Sequence, residues 1–81
     1  MENNIFTEHY LDLCGIACPV NFVKCCLALE NLSLKDVLKV DVDIGEPEIS
    51  LLEGLKEKGY KVIIISKDSK MVSLLISSES N

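Results

Sequence analysis

The sequence predicts a two-layer α/β sandwich, a four-stranded mixed sheet with two helices on one face, and three observations carry that expectation. Two stretches place apolar residues at helical spacing, Val37 to Asp43 alternates apolar and polar residues, and the last third of the chain holds two apolar, β-branched runs around a four-residue turn. The order is therefore β-α-β-α-β-β. A right-handed crossover sets the first two strands parallel, while the closing hairpin is antiparallel, so the sheet is mixed and both helices pack on the same side. At 81 residues and 48% hydrophobic content, the chain suffices for one core and is too short for two. We expect a single domain over residues 1–81, with 1–7 as a loose arm and 78–81 as a frayed tail.

Each element follows from local chemistry. Tyr10 to Leu13 is a short strand, with Leu11 and Leu13 on one side and Tyr10 and Asp12 on the other. Gly15 marks the turn that leaves it. From Pro19 to Leu32, residues Phe22, Cys25, Cys26, Leu29 and Leu32 fall on one helical stripe. Pro19 suits the first helical position, where its missing N–H is no loss, and this puts Cys18 at the N-cap. In Val37 to Asp43, Leu38, Val40 and Val42 face the core while Lys39, Asp41 and Asp43 face water. Pro47 between Glu46 and Glu48 starts the second helix, Ile49, Leu52 and Leu55 form its apolar stripe, and Lys56, Lys58 and Gly59 mark its end. Lys61 to Ser66 and Met71 to Ser77 form the hairpin around Lys67-Asp68-Ser69-Lys70.

Composition narrows the function. Thirteen acidic residues against eight basic ones give a formal charge of −5, the wrong sign for neutralising phosphates, so neither nucleic acid nor an anionic membrane is an expected direct partner. Apolar runs such as Val62 to Ile65 fall far short of the roughly 20 residues of a membrane span. The start MENNIFTEHY lacks a basic and apolar export signal, so a cytoplasmic location is expected. In that compartment four cysteines are reduced thiols, and adjacent Cys25 and Cys26 on a helix have poor geometry for a mutual bridge. No phosphate loop, nucleotide fingerprint or Ser-His-Asp set is present, and no cofactor is expected. A metal site built from Cys14, Cys18, His9 and a helix cysteine fails on distance, because Cys25 lies ~10.5 Å along the helix axis from Cys18.

The segment Leu11-Asp12-Leu13-Cys14-Gly15-Ile16-Ala17-Cys18-Pro19-Val20-Asn21 is where chemistry concentrates. Cys18 stands at the positive end of the first helix, where the macrodipole and unsatisfied N–H groups favour a thiolate, the nucleophilic form. As N-cap, its sulfur is expected to accept from the N–H groups of Val20 and Asn21. The plainer alternative is a small core residue, which fits Cys25 better; Cys26 is expected to be partly exposed. Lys24 is too far along the helix to pair with Cys18 directly. Cys14, four residues before Cys18, is within reach of a disulfide across the turn, or else simply lies on the exposed side of the strand end. His9 reads as solvated. Asp41, Asp43, Glu46, Glu48, Glu53 and Glu57 offer an acidic edge to a basic partner.

The run Leu11-Asp12-x-x-Gly15-x-x-Cys18-Pro19, followed by an amphipathic helix, an alternating strand, the Gly45-Glu46-Pro47 turn and Gly59-Tyr60, resembles the TusA/SirA-like sulfur-carrier family over residues 10–77. The resemblance implies a β-α-β-α-β-β domain whose motif cysteine, here Cys18, takes sulfane sulfur as a persulfide from a donor such as a cysteine desulfurase and passes it to an acceptor protein. Asp12, Gly15, Pro19, Val20 and Asn21 are the supporting residues on that reading. Two departures stand out. The family's usual Cys-Pro-x-Pro carries Asn21 at its last place, and the commonly basic residue before the glycine is Cys14, which makes Cys14 a candidate resolving thiol. Three functions are thus in play: a sulfurtransferase-type persulfide carrier, a thiol-disulfide switch through Cys14 and Cys18, and a non-catalytic interaction domain. The intact Cys18-Pro19 pair favours the first.

Overall fold

The computed structural model describes residues 7–33 and 35–77. In chain order these form β1 (Glu8–Asp12), α1 (Val20–Glu30), β2 (Val37–Asp43), α2 (Glu46–Glu57), β3 (Lys61–Lys67) and β4 (Met71–Ser77). The strands make one sheet in the order β1-β2-β4-β3. β1 runs parallel to β2, and β4 is antiparallel to both β2 and β3, so the expected mixed sheet is the one observed. Most of the expected arm and tail, residues 1–6 and 78–81, lies outside the described residues.

Alternation along the strands decides which face the helices cover. Leu38, Val40 and Val42 of β2 and Val72, Leu74 and Ile76 of β4 are buried together with Leu13, and α1 and α2 close over them with Cys25, Leu29, Leu51 and Leu55. Each fully buried Leu, Ile or Val contributes about 1.5–3 kcal/mol, and with this face covered the register is fixed, since a one-residue slip would turn every one of these side chains to water. At the hairpin, Asp68 Oδ1 accepts from the N–H groups of Lys70 at 2.7 Å and Met71 at 2.9 Å, which closes the turn. Among the described residues no helix is long and apolar enough to cross a membrane.

Two expectations about faces are corrected. The buried stripe of α2 is Glu48, Leu51 and Leu55, with Leu52 half-buried and Ile49 exposed. The helix is rotated because Glu48 has a partner, Lys67 of β3, whose Nζ lies 3.0 Å from its carboxylate, and because Phe22 of α1 packs directly over Gly54. Asp41 of β2 points to the uncovered face and is nevertheless only 9% exposed. Tyr10 Oη donates to its Oδ2 and Ser73 Oγ to its Oδ1, both at 2.6 Å. Burial raises the Asp41 pKa, and the hydrogen bonds from Ser73 and Tyr10 outweigh that and hold it below the ordinary carboxylate value. The same contact with Asp41 pushes the Tyr10 hydroxyl up to about 12.

Candidate functional site

The segment between β1 and α1 is built by carboxylates at the ends of the two parallel strands. Leu13 N–H continues the ladder to the Asp41 carbonyl at 2.8 Å, and the chain then turns through Gly15, whose φ of 81° is available to glycine at little cost. Asp12 Oδ1 accepts from Cys14 N–H at 3.0 Å and Asp43 Oδ2 from Gly15 N–H at 2.8 Å. Asp12 and Gly15 thus shape the loop that carries the chain to Cys18.

Cys18 is exposed, and the Cys18–Pro19 peptide bond is cis. α1 begins at Val20 with Pro19 as its N-cap residue, so Cys18 stands one residue before the cap. This corrects the expected placement, and it also redirects Asn21. The Asn21 N–H donates to the Ala17 carbonyl at 3.1 Å and is not available to the Cys18 sulfur. A carbonyl one turn back is a stronger acceptor than a thiol sulfur, and the first helical turn aligns it.

The recess beside Cys18 has a volume of about 250 Å³ and is lined by Ala17, Cys18, Glu46 and Pro47. Its far wall is the first turn of α2, so the two helix N-termini meet there. Sequence reading did not include Glu46 and Pro47 in the site. The signal was present in the topology: each helix follows one of two parallel strands, and both therefore start at the carboxyl edge of the sheet. Asn21 links the two walls. Its side chain is fully buried, its Nδ2 reaches the Pro47 carbonyl at 3.5 Å, and its Oδ1 has no partner among the described residues. Val20, by contrast, is half-exposed on the outer side of α1.

The remaining candidates separate from this recess. Cys14 is half-buried with its Sγ 3.9 Å from the Met71 Sδ of β4. Burial pushes its pKa up to about 11, reinforced by the hydrogen bond to Asp12 and by the negative charges of Asp12, Asp43 and Asp41. Cys14 is thus held as the thiol, the weaker nucleophile. Cys25 is a core residue, as expected, and burial pushes its thiol up to about 12. Cys26 is buried as well, against the expectation of partial exposure, because it too falls on the side of α1 that meets the sheet and α2. His9 pairs with Asp36, Nε2 to Oδ2 at 3.2 Å. The acidic edge is broken up, since Asp41 and Glu48 are buried against partners of their own.

The family described as sulfurtransferase TusA matches residues 9–78. The chain belongs to the TusA family. The match runs from the second residue of β1 past the end of β4 and includes the whole Cys18 loop. The chain also shares its fold with a SirA-like protein from Desulfitobacterium hafniense, at a TM-score of 0.70 and 23% identity, covering 90% of this chain and 97% of that one. No curated protein matches significantly. In this TusA-family chain the Cys18-Pro19 pair places an exposed cysteine at the edge of an open recess.

Proposed function

We propose that this chain carries sulfane sulfur as a persulfide on Cys18, taken from a cysteine desulfurase-like donor and delivered to an acceptor protein in the cytoplasm. Membership of the TusA family supports a sulfur-carrier role in a relay with other proteins. The observation that carries the residue assignment is that, of the four cysteines, only Cys18 is exposed.

In loading, the Cys18 thiolate attacks the terminal sulfur of the donor's persulfide, the new S–S bond forms as the old one breaks, and the donor leaves as its thiolate. In unloading, an acceptor thiolate attacks the outer sulfur on Cys18 and Cys18 is released as thiolate. Sulfane sulfur changes hands with no net oxidation or reduction in either step. Asp12, Gly15 and Asp43 hold the loop, Pro19 heads the helix, and Asn21 keeps the opposite wall in place. The thiol-disulfide alternative has less support, because burial, reinforced by the carboxylates around it, keeps Cys14 protonated.

The test is mass spectrometry after incubation with a cysteine desulfurase and cysteine. The parent protein should gain one sulfur atom and Cys18→Ser none. Loss of two hydrogens would favour the Cys14–Cys18 switch and no change a binding module, while sulfur loading of Cys18→Ser at the parental level would overturn the assignment.

A further inference from the structure

Among the described residues β3 pairs with β4 on one side only, so its other edge presents a row of N–H and C=O groups to solvent. Ile63, Ile64 and Ile65 are each about half exposed there. Beside the strand, on its helix side, lies an apolar groove of about 330 Å³ lined by Leu52, Lys56, Tyr60, Val62 and Ile64. Charge is segregated to the same place. Five of the chain's eight lysines lie between residues 56 and 70, where only Glu57 and Asp68 are acidic, so this stretch carries +3 in a chain of net −5.

We propose that β3 is a docking edge for an extended segment of a partner protein, apolar at its centre and acidic toward the end that lies beside Lys61 and Lys56. Backbone pairing supplies the geometry, the isoleucines and the groove take alternate apolar side chains, and Lys61 and Lys56 meet the acidic end. Lysines and the irregularity in register between Ile64 and Ser66 are also devices that blunt an edge against aggregation. Three consecutive half-exposed isoleucines beside an apolar groove are the opposite of blunting. A second copy of this chain is a poor occupant: the register shift between Ile64 and Ser66 breaks the alternation of β3, so two copies paired antiparallel over the whole strand set one irregularity against the other.

The edge also leads to the recess. Lys67 at the end of β3 bonds Glu48, whose neighbour Pro47 lines the space beside Cys18. A strand seated on β3 therefore has one end at the same end of the sheet as the recess, although β3 is the edge opposite β1, and the occupant fits a protein that gives or takes sulfur. Only that last step rests on the carrier reading; docking itself needs no sulfur.

The test uses the full chain as the Cys18→Ser variant, labelled with ¹⁵N, and a synthetic peptide as long as β3 that alternates valine and threonine with a glutamate at each end. Amide shifts are expected along residues 61–67 and at Leu52, Lys56 and Tyr60. A lysine-ended peptide should bind about tenfold more weakly or worse, and Lys56→Glu/Lys61→Glu should reverse the preference. No binding at millimolar peptide, equal affinity for the two peptides, shifts confined to other elements, or a dimer formed through β3 in sedimentation would each overturn the proposal. Sulfur loading of the parent protein without peptide binding would sink the docking edge alone, and peptide binding without sulfur loading the carrier reading alone.

Discussion

Replacing Asn21 by leucine is expected to make the protein more stable. The Asn21 side chain is fully buried, its Oδ1 lacks a partner among the described residues, and its single hydrogen bond, to the Pro47 carbonyl, is long at 3.5 Å. A buried acceptor left unsatisfied costs about 1–3 kcal/mol, while a bond at the limit of hydrogen-bonding distance returns at most about 0.5–1 kcal/mol. Leucine has nearly the same shape and removes both terms, so Asn21→Leu should gain about 1 kcal/mol. For a domain of this size that corresponds to an increase in Tm of roughly 4–8 °C. Urea unfolding followed by far-UV circular dichroism measures the change, with the midpoint moving up and the slope unchanged. A loss of about 1 kcal/mol or more would refute the reasoning and would mean that an ordered water satisfies Oδ1. If the more stable variant loads sulfur poorly, Asn21 serves the link between Cys18 and the wall formed by Pro47, and the fold carries it at a cost.

Three further outcomes follow from the same structure. Because the Cys14 thiol is pushed up to about 11, its thiolate fraction at neutral pH is minute; Cys14→Ser should leave the lifetime of a Cys18 persulfide unchanged near pH 7. Between about pH 8 and pH 10 the parent's persulfide should decay about tenfold faster per unit while the variant's does not, and a parental decay independent of pH would rule out attack by Cys14. Cys25, with an ordinary thiol value of 9.0 raised to about 12 by burial, contributes stability that is complete below pH 9 and is lost as pH rises toward 12. Cys25→Ala should cost about 1–2 kcal/mol at pH 7 and make the alkaline fall in urea midpoint shallower; an unchanged fall would count against its burial as the cause. A methyl group at Gly54 would lie 2.6 Å from Phe22 Cε1, so Gly54→Ala should lose net stability, the overpacking cost of about 1–3 kcal/mol exceeding the gain of about 1 kcal/mol in helix propensity. Thermal unfolding would show it, and a stabilised variant would mean that the ring moves aside freely.

The order and type of all six elements could be read from the sequence, because alternation in β2, the apolar runs of β3 and β4 and the stripe of α1 report local geometry directly. The turn after β1 was legible for the same reason, since Gly15 with its positive φ and the Asp12 carboxylate on Cys14 N–H belong to one short stretch, whereas the Asp43 carboxylate that also holds it comes from β2. The rotation of α2 was not, since it depends on Lys67 reaching Glu48 and on Phe22 meeting Gly54. Nor was the burial of Asp41, whose partners Tyr10 and Ser73 lie 31 and 32 residues away in sequence. Periodicity says which residues share a face; whether a polar side chain on that face can leave water depends on a partner delivered by another element. The wall of Glu46 and Pro47 opposite Cys18 is of this second kind, for it exists only once the sheet sets the starts of both helices side by side.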